Sequence, residues 1–224
     1  TLYDLYEWAH TPWDWHNALF DYAKKLDITI FSSPFDATAV DLLEDLGAPA
    51  YKIASFEAID IKLIQYVAST KKPMIISTGM ANLDEISEAI ETARNSGCKQ
   101  LAVLHCVSGY PAPITDYNLK TIPDMIDKLK VVTGISDHTL ENTTSIAAVS
   151  IGASVIEKHF TLDRNGGGPD DSFSLELDDM AGLVKGAHDA WLSLGQVNYE
   201  RKASEETNLK FRRSLYFVKD ISKG

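Results

Sequence analysis

The sequence predicts an α/β protein of the (β/α)8 TIM-barrel class, with the first two strands expected upstream of Thr1. Three observations carry this. Six apolar, β-branched runs start about 22 to 30 residues apart, close to the length of one βα unit. Their near-continuous hydrophobicity suits parallel strands covered on both faces, and helical patterns fill the intervals. No Gly-rich loop follows the first run, as it would in an open doubly wound sheet, which is the runner-up fold.

The elements follow in order. Thr11 reads as an N-cap with Pro12 at the first helical position. Behind it Trp15, Ala18, Leu19, Tyr22, Ala23 and Leu26 share one face. "ITIFSSPF" from Ile28 reads as a strand, as do "AYKIASFE" from Ala50 and "PMIISTGM" from Pro73. In "NLDEISEAIETARNSG" Asn82 and Glu85 form a capping-box pattern, Ile86, Ala89, Ile90 and Ala93 a stripe, and Gly97 a stop. Three further runs start at Leu101, Val131 and Ser154, and the longest helical stretch, "LELDDMAGLVKGAHDAWLSLG", closes at Gly195. The stripes are expected to be helix packing. From Gln196 to Gly224 the periodicity lapses into a polar linker that ends on a strand-like run. Residues 1–195 are therefore expected to be a partial barrel domain and 196–224 its exit.

Composition narrows the function. A net charge of −11 argues against a nucleic-acid or anionic-membrane partner. An anionic substrate would need a site made locally positive. No apolar run approaches the ~18 residues of a membrane helix. Two cysteines, Cys98 and Cys106, suit a reducing cytoplasm.

Barrel active sites lie at the C-terminal strand ends. Here those ends carry Ser33, Lys52 to Glu57, Ser77, Cys106 to Tyr110, Ser136 to His138 and Glu157 to His159. His138 and His159 on neighbouring strands would stand about 5 Å apart at the backbone, so both imidazoles could reach one divalent ion. Two ligands leave coordination open for substrate. Ser33, Ser55, Ser77, Ser108 and Ser136, with Lys52 as the charge, fit an anion. "NGGGPDDSFSLE" reads as a flexible loop carrying Asp170 over the barrel mouth. His105 reads as a core residue or a support to the site.

At these residues the chain resembles the sialic-acid synthase family, which condenses phosphoenolpyruvate with an N-acylated sugar. The resemblance rests on "YKIASFE", "ISTGM", "CVSGYPAP", "GISDHTL", "GASVIEKHFTLDR" and "GGPDDSFSLE". "LYEWAHTPWDWH", "SSPFD", "ASFEAIDI" and "FSLE" are most similar to the branch that makes pseudaminic acid. The resemblance implies a divalent metal on His138 and His159, manganese first, with magnesium or cobalt as alternatives. It implies phosphoenolpyruvate on Lys52, Ser33, Ser55, Ser77, Ser108 and Ser136, and the acceptor sugar against Glu57, Tyr110 and Asp170. It further implies a homodimer, with a small antifreeze-like domain after the linker covering a partner's site. Asp171-Ser172 departs from the family's usual Ser-Ala pair. The family's first-strand glutamate and second-strand lysine are expected before Thr1.

Overall fold

The computed structural model describes residues 1–224, with Leu2 described by its backbone alone. The chain divides into two compact units, Thr1–Ser193 and Leu194–Gly224. The first opens with three helices, α1 (Leu2–Ala9), α2 (His16–Lys25) and α3 (Ala37–Asp45). Strand and helix then alternate through β1 (Tyr51–Ile53), α4 (Ile61–Ser69), β2 (Met74–Ser77), α5 (Leu83–Asn95) and β3 (Leu101–Cys106). The pattern continues with α6 (Thr121–Leu129), β4 (Val132–Asp137), α7 (Thr143–Ser150), β5 (Ile156–Lys158) and α8 (Leu177–Leu194). All five strands are parallel and lie side by side in chain order.

Alternation along each strand sorts the side chains onto two faces. Tyr51, Ile53, Met74 and Ile76 join Val40, Leu43, Ile64 and Val67 in one buried cluster under the helices. Ile135 packs with Tyr117, Ile122 and Ala148, and Val103 with Ile86, Ile90 and Met125. The residues between them face inward, and their contacts show that this face is concave. Lys52 Nζ on β1 lies 3.3 Å from Glu157 Oε2 on β5. In a flat sheet those strands would stand about 19 Å apart, four steps of ~4.8 Å, beyond the joint reach of the two side chains. The sheet is therefore curled into a half-barrel. Ile75, Leu104 and Val155 of the inner face line a cavity of about 480 Å³ with Phe31, with Met180 and Val184 of α8, and with Glu157 and Lys158 at the end of β5. No helix among the described residues is long and apolar enough to cross a membrane.

Local chemistry explains most boundaries. Asn82 Oδ1 accepts from the Asp84 and Glu85 amides while Glu85 returns a bond to the Asn82 amide, and Gly97 follows α5 at φ +113°. Ile86, Ala89, Ile90 and Ala93 are buried, and α8 stops before Gly195.

Four expectations are corrected. The run at Ile28 forms a single parallel bridge, Ser32 to Tyr51, rather than a strand, so the sheet has five strands and not six. Ile28 is 59% exposed and Phe31 38%, and a run bonded at one point on one side has no ladder to regularise it. Thr11 does not cap a helix: Pro12 is extended (φ −56°, ψ 138°) before a 3-10 turn, Trp13–Trp15, and α2 begins only at His16. The face read as helix packing is largely at the surface, with Trp15, Leu19, Tyr22 and Leu26 43–62% exposed and Ala23 alone buried in α2. In the second unit the strand-like run is no strand: Leu215, Tyr216, Phe217 and Val218 are 77–100% exposed, and its one regular element is a 3-10 stretch, Ala203–Phe211.

Candidate active site at the strand ends

The inward residues at the C-terminal ends of the five strands form one polar rim. β4 and β5 pair in register at Asp137 and Lys158, so the next residue on each chain, His138 and His159, is its neighbour across the sheet. The imidazole centroids lie 5.2 Å apart. His138 Nδ1 lies 2.8 Å from the Val107 carbonyl. A carbonyl only accepts, so Nδ1 carries the proton and Nε2 is the nitrogen free to ligate. The backbone fixes this residue as well: its amide donates to Tyr117 Oη (2.7 Å) and its carbonyl accepts from the Ala112 amide (3.0 Å). His159 Nδ1 faces Asp170 Oδ2 at 3.4 Å. Burial pushes the His159 imidazole below its ordinary pKa, with the Asp170 charge opposing. That favours the neutral, ligating form.

Both rings sit in an aromatic wall. Tyr110 lies tilted against His138 at 4.2 Å and edge-on to His159 at 5.9 Å, and Phe173 meets His159 at 5.1 Å. Burial pushes the Tyr110 phenol up to about 12, so it remains a hydrogen-bond donor at neutral pH. Among the described residues no cluster of three or more His, Cys, Asp or Glu side chains is arranged to hold a metal. The donor set that fits a cation is thus the imidazole pair, which leaves most of its coordination to substrate and water.

Beside the imidazoles lies a row of hydroxyls. Ser77 Oγ and Ser108 Oγ are buried and have no hydrogen-bond partner among the described residues. Such groups cost free energy unless something fills them. Ser55 Oγ accepts from the Gly79 amide (3.1 Å) and donates to Cys106 Sγ (3.4 Å), and Ser136 Oγ donates to Glu157 Oε1 (2.8 Å). Lys52, 7% exposed, joins this row through Glu157, which it meets at 3.3 Å and which accepts from Ser136. Gly79 keeps the space beside the hydroxyls open: a Cβ there would lie 2.1 Å from Ser108 Oγ and 2.8 Å from Ser55 Oγ. Gly79→Ala is expected to fold normally and to raise the KM for an anionic substrate at least about tenfold, through two displaced hydroxyls at ~1 kcal/mol each. Steady-state kinetics beside a thermal melt check this.

The remaining residues named from the sequence fall as follows. Glu57 ends a 3-10 turn, Ser55–Glu57, directly after β1. Its Oε2 is buried without a partner among the described residues, and burial pushes its carboxyl above the usual range. Asp170 lies against His159 rather than free over the mouth. Ser33 follows the Ser32 bridge, half-buried, and makes no side-chain hydrogen bond among the described residues. His105 points to the outer face, where its Nε2 meets the Tyr117 carbonyl.

Two features depart from the sequence reading. Glu157, named there only as a strand-end neighbour, engages both Lys52 and Ser136 and so sits inside the row of hydroxyls. Alternation back from His159 would have found it. The triglycine loop is also pinned. Asp171 accepts from Thr161 Oγ1 (2.6 Å) and from the Gly168 amide (2.7 Å), and a Cβ on Gly166 or Gly168 would strike its carboxylate. Arg164 adds bonds to the Ser174 carbonyl and to Asp179. Glycine is needed there to wrap the chain round a side chain. Asp171→Ala is expected to raise proteolytic nicking between Asp163 and Asp170 severalfold, read by limited trypsin digestion after Arg164.

Fold and rim together define a parallel α/β half-barrel with its polar side chains gathered at the C-terminal strand ends. A family model described as the NeuB family matches residues 1–199, and the chain belongs to that family. The chain is 42% identical over its full length to the pseudaminic acid synthase of Helicobacter pylori, covering 66% of that protein. It is also 42% identical, over 93% of its length, to an N,N'-diacetyllegionaminic acid synthase of Campylobacter jejuni, covering 64% of it. The chain therefore spans about two thirds of the length of these curated relatives. A crystal structure of an N-acetylneuraminic acid synthetase from Leptospira borgpetersenii, in complex with citrate, superposes with a TM-score of 0.85 at 32% identity. That match covers 95% of this chain and 74% of the other.

Proposed function

We propose that the full-length protein is a cytoplasmic, metal-dependent pseudaminic acid synthase built on a complete (β/α)8 barrel. It would join phosphoenolpyruvate to 2,4-diacetamido-2,4,6-trideoxy-altrose. The observation that supports this best is the pair of orphaned buried hydroxyls, Ser77 and Ser108, beside Lys52 and next to two adjacent imidazoles. Hydroxyls without partners want an acceptor-rich ligand, and a phosphate offers three oxygens. Ser33, Ser55 and Ser136 complete the proposed phosphoenolpyruvate set. His138 and His159 would hold the divalent cation, manganese before magnesium or cobalt, which when bound supplies Lewis acidity to the sugar aldehyde.

The balance is simple. Carbon 3 of phosphoenolpyruvate bonds to the aldehyde carbon, whose oxygen takes up a proton. Water adds at carbon 2, and the bond from carbon 2 to the phosphate oxygen breaks. The products are a nine-carbon 2-keto acid and inorganic phosphate. Lys52 and the serine hydroxyls stabilise charge on the departing phosphate in a site largely shielded from water. Glu57, whose proton affinity burial has raised, is placed to give or take a proton at Oε2. Tyr110 and Asp170 orient the sugar, and the aromatic wall covers its reacting end. A homodimer, with an antifreeze-like domain reaching from one subunit over the other, would close the mouth. The chain's equal identity to a legionaminic acid synthase keeps that sugar as the second reading.

Manganese-dependent phosphate release, measured with the altrose sugar, N-acetylmannosamine and the legionaminic precursor in parallel, tests the reading. Release with the altrose sugar alone supports it. Release with another sugar moves the specificity, and none with any sugar from folded, metal-loaded protein overturns it.

A further inference from the structure

Behind the two imidazoles lies a pair of charges that the chemistry does not use. Asp137 and Lys158 are in register on β4 and β5, immediately before His138 and His159, and alternation turns them to the opposite face. Their side chains are 0% and 3% exposed, and Lys158 Nζ lies 3.1 Å from Asp137 Oδ2. Every polar atom of the pair is filled. Asp137 Oδ2 also accepts from Ser145 Oγ in the first turn of α7 (2.6 Å), and Oδ1 accepts from the Thr139 amide (2.8 Å). Lys158 Nζ donates further to the carbonyls of Thr139 (2.5 Å) and Glu141 (3.2 Å).

A buried ion pair of this kind adds little net stability over an apolar pair, because desolvation offsets most of the attraction. What it does add is geometry: it is satisfied in one register and one strand spacing. On the inner face Tyr110 packs against both rings and Ser136 Oγ donates to Glu157 Oε1, while the hydrogen bonds to the histidines themselves act on each separately. Val107, Ala112 and Tyr117 hold His138, while Asp170 and the Leu175 amide hold His159. On the outer face, the side-chain tie that links the two strand ends is the fully buried Asp137 to Lys158. We propose that Asp137 and Lys158 are a positioning pair that sets the separation of His138 and His159 for a shared divalent cation. The inference rests on the metal-site reading above.

The test is Mn²⁺ binding to the full-length protein, followed by the electron paramagnetic resonance of free Mn²⁺, with circular dichroism to confirm folding. Lys158→Met and the neutral double variant Asp137→Asn with Lys158→Gln are compared with His138→Ala. The positioning pair predicts a Mn²⁺ Kd weakened at least about tenfold in each folded variant. The double variant strands no buried charge, so it serves where Lys158→Met fails to fold. A folded variant that binds Mn²⁺ within twofold of wild type, while His138→Ala has lost it, overturns the proposal. Failure of both variants to fold makes the pair a folding element and overturns it too. Undiminished binding by His138→Ala instead overturns the metal reading beneath it.

Discussion

His138→Ala is expected to lower metal-dependent phosphate release at least about 10³-fold while leaving the circular dichroism spectrum unchanged. A ligated cation supplies several kcal/mol of charge stabilisation, and ~4 kcal/mol is that factor in rate. The size of the effect follows from how few ligands there are. With two imidazoles as the proposed donor set, losing one would remove half of the protein's hold on the ion. The fold should tolerate the change, because the restraints on this residue act largely through its backbone amide and carbonyl, which alanine retains. Turnover that survives in His138→Ala with the same manganese dependence would remove this residue from the metal site.

Lys52→Met is expected to reduce kcat/KM for phosphoenolpyruvate on the order of 10²-fold, mostly through KM. A hydrogen bond to a charged group is worth about 1.5–3 kcal/mol, and the lost neutralisation of Glu157 adds repulsion toward the incoming anion. Methionine fills most of the lysine's volume, so the 7%-exposed site should not collapse. Isothermal titration with phosphoenolpyruvate separates binding from chemistry. Unchanged binding would assign Lys52 to holding Glu157 alone. Lys52→Met combined with Glu157→Gln should recover part of the affinity by removing the stranded carboxylate.

The parallel sheet was legible because its strands carry apolar residues on both faces, under the helices outside and at Ile75, Leu104 and Val155 within, which writes long apolar runs into the chain. Helix α5 was legible to the residue, since Asn82, Glu85 and Gly97 each carry their own local signal. The N-terminal region was not. Its apolar spacing is genuinely helical, but periodicity reports only that a face is apolar, not that something covers it, and Trp15, Leu19 and Tyr22 are exposed. Pro12 misled for a related reason: a proline fixes φ, which suits the first turn of a helix and an extended segment equally.

The site divides in the same way. Residues that end a strand, such as His138, Ser77 and Ser136, announce themselves by interrupting an apolar run. Glu157 and the Asp137–Lys158 pair were hidden because adjacent charges in "SDH" and "EKH" read as one polar cluster until alternation sends them to opposite faces. The pinned loop was hidden because Asp171 spends its charge on Thr161 and on the Gly168 amide, a contact no spacing rule encodes.

If the proposed anion site is right, the Lys52–Glu157 contact would make the rim an ion exchanger rather than a trap. A bare buried ammonium would seize any passing chloride or sulfate. One that already holds a counterion yields it only to an anion that offers more, such as a phosphate able to satisfy the serine hydroxyls at the same time. In the proposed reaction the same exchange would run backward at the end of a turnover. As inorganic phosphate departs, Glu157 would resume its place, and the carboxylate that binding had displaced would help release. On that reading, discrimination among anions and the ease of letting product go would both trace to one side chain at the rim that is itself an anion.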